Sequence, residues 1–260
     1  MPRILVLVPF PLDEHNLSQR REQGHSVALA DETVLDYRPV RIAPSNYVSG
    51  HDSVLAELSI IEAGMTAEAQ GYDAVCIDTM SDTGVAALRS LLDIPVIGPG
   101  RHSMLAALML GRRFSILTMW DAWRPLYRKT IADLGLAEHC ASVRAANITP
   151  DNRNLLAGKE SQVFPVLEEV AMRCIREDGA DVIILGSTTM HEVHGHLASR
   201  LPVPVVNPGP LSYALAQSAI RLGLRHGIRA YPRVQAPDLQ LLRQTVDAGE
   251  QVESPSSPAR

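Results

Sequence analysis

Asp73-Ala-Val-Cys-Ile-Asp-Thr79 and Asp181-Val-Ile-Ile-Leu-Gly-Ser187 lie 108 residues apart and read alike: an aspartate, a short apolar run, one variable position and a hydroxyl. Each run has the continuous apolar character of a parallel strand covered on both faces. Working outward, Ile94-Pro-Val-Ile-Gly-Pro-Gly100 matches Val203-Pro-Val-Val-Asn-Pro-Gly209 at an offset of 109 residues. Arg3-Ile-Leu-Val-Leu7 matches Arg113-Phe-Ser-Ile-Leu117 at 110. Three matches in one order and nearly one offset define an internal repeat. Any two buried strands share apolar letters, but not the Pro-Val-x-x-Pro-Gly punctuation.

The repeat predicts an α/β fold of two pseudo-symmetric parallel-sheet halves with a cleft between them. The second half is inserted before the chain returns to finish the first, giving 1–98 with 207–248 as one half and 99–206 as the other. Strands are expected at Ile4–Val8, Ala74–Ile77, Val96–Ile97, Ser115–Thr118, Val182–Leu185 and Val203–Val206. Between them lie helical patterns at Val54–Gln70, Thr83–Leu92, Ser103–Leu110, Pro125–Leu134, Asn154–Glu177 and Leu211–Leu222, the alternation of an α/β protein. Residues 249–260 offer little to a core and read as a disordered tail.

Composition narrows the partners. The 260 residues are 46% hydrophobic and 20% charged, enough apolar mass for a real core. Lys plus Arg number 24 against 29 Asp plus Glu, so the net charge of −5 argues against nucleic acid, which calls for a basic surplus. No run approaches the ~20 apolar residues of a spanning helix, and no secretory leader is read at Met1–Phe10. Cys76, Cys140 and Cys174 are odd in number and widely spaced, which suits a reducing cytoplasm and neither a disulfide framework nor a zinc motif. A small polar substrate is the expected partner.

Chemistry is expected where the repeat ends its strands. Ligands of open α/β sheets bind outside the carboxyl ends of the strands, so Thr79 and Ser187 should face one cleft from opposite walls. Ser81 and Asp82 follow on one side, Thr188 and Thr189 on the other, as binding candidates. Thr118 ends a further strand and joins them. Loops leading into helix N-termini offer N–H donors to a carboxylate or an enolate-like oxygen.

These residues resemble the aspartate/glutamate/hydantoin racemase superfamily, most nearly its hydantoin and allantoin racemase branch. The resemblance runs from about Arg3 to Pro232. It rests on Ile4–Val8, Ser81-Asp-Thr-Gly84, Leu91-Leu-Asp-Ile-Pro-Val-Ile-Gly98, Gly111-Arg-Arg-Phe-Ser115, Ala141-Ser-Val-Arg-Ala145, Gly179-Ala-Asp-Val-Ile-Ile-Leu-Gly186 and Ala230-Tyr-Pro232. It implies a site between the halves, no cofactor, a homo-oligomer, and a cysteine after the strand in each half, one thiolate removing a proton and the other returning one. Carried over by position, those cysteines fall on Thr79 and Ser187, and both are replaced.

That replacement changes the chemistry expected. A thiol titrates near ~8.5 and can act as a base at neutral pH; an aliphatic hydroxyl needs a neighbour to take its proton. Two-thiol racemisation is therefore not expected. Cys76 lies inside a strand and reads as a buried small hydrophobe. His191 and His194, after Ser187, are candidate bases, and the same pair is the basis of a weaker metal-hydrolase alternative because it approaches a His-Glu-x-x-His pattern without matching it. His102 is a further candidate, with Arg101 beside it able to pair with a carboxylate. Asp78 stands where the other half has Gly186 and is the more unusual acid; Asp82 can serve as a helix cap instead. Trp120, Trp123 and Tyr127 can wall a pocket or pack an interface. The expected function is a cofactor-independent isomerase, lyase or hydrolase acting beside a carbonyl of a small carboxylate or cyclic ureide. The alternative is a non-catalytic protein that binds the same ligands.

Overall fold

The computed structural model describes residues 1–30, 32–149 and 160–253. Two four-stranded parallel sheets form its centre. In the first, β1 (Arg3–Val8), β2 (Val34–Pro39), β3 (Ala74–Ile77) and β4 (Val96–Ile97) run in the order β2-β1-β3-β4. In the second, β5 (Phe114–Thr118), β6 (Cys140–Ala145), β7 (Val182–Leu185) and β8 (Val205–Val206) run in the order β6-β5-β7-β8. The topologies are identical, so the sequence repeat is a structural one. Strands β3, β5 and β7 are buried throughout, as their unbroken apolar runs require.

The repeated letters have repeated jobs. Arg3 N donates to Asp73 Oδ2 at 2.8 Å, and Arg113 N to Asp181 Oδ2 at 3.1 Å. The backbone N–H of each aspartate returns a bond of 2.8 Å to the same arginine's carbonyl. Val75 N and Ile183 N donate to Pro95 O and Pro204 O, both at 2.9 Å. The aspartate thus starts the central strand beside its neighbour, and the proline carbonyl seats the edge strand. In both halves a side chain caps the edge carbonyl: Arg89 Nη2 donates to Val96 O at 2.8 Å and His194 Nε2 to Val205 O at 3.2 Å.

The helices are α1 (Glu14–Arg21), α2 (Gly50–Gly64), α3 (Val85–Leu91), α4 (Pro99–Leu110), α5 (Arg124–Asp133), α6 (Glu160–Arg176), α7 (His194–Arg200), α8 (Pro208–Arg221) and α9 (Leu239–Glu253). Helix α4 follows the first sheet but packs on β5 and β7, whereas α8 follows the second sheet and packs on β1, β3 and β4; the two helices also pack on each other. On this exchange we propose the division drawn above, at 98 and 207. Pro at the first turn starts both helices early, at Pro99 and Pro208, ahead of the apolar periodicity at 103 and 211.

Three expectations need correction. No strand is expected from the sequence at β2 or β6, and no helix at α1, yet all three form. The tail does not begin at 249: α9 runs through Gly249 to Glu253, with Val246 buried. A Cβ added to Gly249 would lie 2.7 Å from Ile42 Cδ1, so the helix packs closely on that side chain. Arg41 ties the helix down by ion pairs to Asp247 and Glu250, while also holding Glu62. The remainder of the tail, 254–260, and the start of the 154–177 helix lie outside the described residues.

Candidate active site

A narrow cleft opens at the carboxyl ends of the two sheets. It is lined by Thr79, Ser81 and Asp78 after β3, and by Ser187, Thr188 and Thr189 after β7. Its walls are Pro9, Phe10 and Tyr47 on one side and Trp123, Leu126 and Tyr127 on the other. Phe10 stacks on Tyr47 with centroids 5.2 Å apart. No cysteine is among the described residues lining it.

Both strand ends carry the same hydroxyl pairing. Thr79 Oγ1 and Ser81 Oγ share a hydrogen bond of 3.1 Å, and Ser187 Oγ and Thr189 Oγ1 one of 2.8 Å. Ser81 Oγ reaches on to Thr83 Oγ1 at 2.6 Å. Thr189 N donates to Ser187 Oγ at 3.2 Å, so this amide caps its own turn and is not free to point at a ligand. Behind Ser187 the chain winds as a 3₁₀ segment, Thr188–Val193, before α7 begins at His194. His191 thus lies in the 3₁₀ segment and His194 at the first position of α7.

The halves differ at Asp78. Asp78 and Arg20 of α1 form an ion pair at 3.0 Å, each side chain 1% exposed. Gln23 Nε2 donates to both carboxylate oxygens, at 3.3 and 3.2 Å. Arg20 Nη1 also donates to Thr188 Oγ1 at 3.4 Å, and Thr188 Oγ1 donates to Asp78 O at 3.1 Å, which ties the two strand ends together. Burial pushes the Asp78 carboxyl up, against the pull of Arg20, Thr188 and Gln23. Arg20 Nε and Trp123 Nε1 are buried without partners. In the opposite half Gly186 takes the place of Asp78, and its carbonyl accepts from Tyr127 OH at 2.6 Å.

The remaining candidates lie elsewhere. Asp82 caps α4, accepting from Gly100 N at 2.7 Å and Arg101 N at 2.8 Å; burial raises it to about 6 against those bonds. Thr118 is buried and shares a bond of 2.8 Å with Tyr127 OH. His102 bonds Gly98 O at 2.6 Å and faces a different cavity. His191 is buried away from the cleft lining, its Nδ1 unpartnered, and burial with Arg20 nearby lowers it to about 4. His194 is occupied at Val205 O, and among the described residues no cluster of three or more His, Cys, Asp or Glu is placed to hold a metal ion. Cys76 is fully buried, burial pushing its thiol up. No helix among the described residues is long and apolar enough to cross a membrane.

Arg20 and Gln23 are the residues that sequence reasoning missed. Nothing in Glu14-His-Asn-Leu-Ser-Gln-Arg-Arg21 marks one arginine as interior. Only the contrast between Asp78 and Gly186 hinted that a counter-ion was needed.

Two like α/β halves with one cleft at their joined strand ends define a pseudo-symmetric α/β protein whose site is shared between repeats. The chain belongs to the Asp/Glu/hydantoin racemase family, whose profile matches residues 23–216. It is 27% identical over 203 residues to a hydantoin racemase of Rhizobium meliloti, spanning 74% of this chain and 80% of that one. The allantoin racemase structure from Pseudomonas fluorescens superposes with a TM-score of 0.81 at 27% identity, over 91% of this chain and 98% of that one. That from Klebsiella pneumoniae gives 0.80 at 26%, over 93% and 99%.

Proposed function

We propose that this chain is an enzyme that needs no organic cofactor and acts beside a carbonyl or carboxylate of a small acid or cyclic ureide. Its step is an isomerisation, a lyase step or a hydrolysis, and not two-thiol racemisation. One observation carries the reading: Thr79 and Ser187, the positions that the family resemblance assigns to thiols, line one cleft together with a buried carboxyl group.

Breaking a bond at carbon next to a carbonyl places charge on the carbonyl oxygen, and preorganised donors lower that barrier. The two hydroxyl pairs supply such donors from opposite walls. Arg20 Nε and Trp123 Nε1 add donors lacking acceptors; each costs about 1–3 kcal/mol if left dry, so an oxygen of ligand or water suits them. Asp78 is assigned the proton transfer, because it is the carboxyl group among the described lining residues and burial raises its titration against the pull of Arg20. Thr79 and Ser187 bind and orient. Three free cysteines keep a reducing cytoplasm in the reading, and the family resemblance keeps a homo-oligomer.

A second reading, a binding protein for the same ligands, is favoured by the engagement of both Asp78 oxygens. Incubation in D2O with a panel of substituted hydantoins and α-substituted carboxylic acids separates the two. Product formation, or label uptake into a panel member other than a hydantoin, that Asp78→Asn abolishes with ligand binding retained, supports the enzyme. Tight binding without turnover across the panel supports the binder.

A further inference from the structure

A second cavity, of about 480 Å³, lies beyond the edge strand β4 and shares no lining residue with the cleft. Val96, Ile97, Leu215, Ala219, Leu222 and Leu224 give it apolar walls. Leu222 and Leu224 remain 70% and 58% exposed. Such a volume is in the usual range of small-molecule pockets.

Its charged lining side chains are cationic. Arg89, Arg225, His102 and His226 line it, and no Asp or Glu is among the described lining residues. Arg89 Nη1 and Arg101 Nη1 converge on Tyr231 OH, at 2.8 and 3.1 Å. The two donors fill the phenol's lone pairs and leave its own hydrogen to be donated. The Arg89 guanidinium also lies over the Tyr231 ring, 4.9 Å from the centroid, which fixes that hydroxyl at the cavity wall. His226 Nδ1 is buried without a partner.

We infer that this cavity is a second ligand site, for a small carboxylate or sulfonate carried on an apolar body. The apolar walls take the body, and Arg225 and the Tyr231 hydroxyl take the charged head. Octanoate and 1-octanol, equal in chain length, test this by calorimetric titration of the full chain. Octanoate should bind about tenfold or more tightly than octanol. Arg225→Glu, at an exposed position, should weaken octanoate about tenfold or more and leave octanol unchanged. Ala219→Trp should weaken both, and Ser187→Ala in the cleft should weaken neither.

Equal binding of the acid and the alcohol would overturn the site, as would octanoate binding that survives both Ala219→Trp and Arg225→Glu. Loss of binding in Ser187→Ala would place the probe in the cleft. No octanoate binding, with a change of sedimentation in Ala219→Trp or Arg225→Glu, would make the cavity a contact between copies and overturn the inference too.

Discussion

Replacing Arg20 by Met should destabilise the protein more than any loss of a surface charge. The Arg20–Asp78 pair is 3.0 Å long and both side chains are 1% exposed. Removing one partner of such a pair strands the other, a loss of about 3–5 kcal/mol. The sign of its pH dependence follows from Asp78. Without Arg20, the folded-state pKa of the carboxyl rises further above its unfolded value, so the folded variant binds a proton that the unfolded chain does not. Its stability therefore recovers as pH falls, and the loss is larger at pH 8 than at pH 5. Asp78→Leu should cost a similar amount by stranding the guanidinium. The double variant should lie only about 1–3 kcal/mol below the parent, the remainder being Gln23 Nε2 without its acceptor. Urea unfolding followed by circular dichroism at the two pH values measures all three. A loss under about 1 kcal/mol for Arg20→Met, or additive losses in the double variant, would refute the buried-pair account.

His191 sets a second pH dependence. Its folded pKa of about 4 lies below the ordinary value of 6.5, so its contribution is intact above pH 6.5 and is lost as pH falls towards 4. The stability of the parent relative to His191→Asn should drop by about 3 kcal/mol across that window in thermal or urea melts. The opposing titration of Asp82 cancels in the difference. Asp82→Ala should cost about 1–2 kcal/mol, because it removes the acceptor for two N–H groups of α4. Asp82→Asn should cost less in the same melts, since Asp82 sits at φ 54°, a region that asparagine tolerates better than alanine.

The repeat was legible because the residues that carry it do backbone work: Asp73 and Asp181 seat one strand, Pro95 and Pro204 the next. It located Thr79 and Ser187, which the structure places in one cleft. Strands β2 and β6 were illegible because they are half-exposed and mix Asp, Arg, Tyr and Ser with apolar residues. Helix α1 escaped for a related reason, since its interior side chains include Asn16 and Arg20 and no apolar stripe forms. A buried arginine has the letters of an exposed one. The histidines after Ser187 looked catalytic by proximity in sequence. The 3₁₀ geometry of residues 188–193 instead buries His191 behind the cleft.

The central claim, that two hydroxyls stand opposite each other where a pair of thiols would do proton transfer, is tested most directly by Thr79→Cys/Ser187→Cys. The measurement is exchange of the ring α-hydrogen of a 5-monosubstituted hydantoin with solvent deuterium, followed by NMR. The parent should exchange no faster than the buffer, and the double variant about 100-fold faster or more, the usual return from a positioned base. Either single variant should fall well short of the double. Rapid exchange by the parent, or a folded double variant no faster than buffer, would contradict the account.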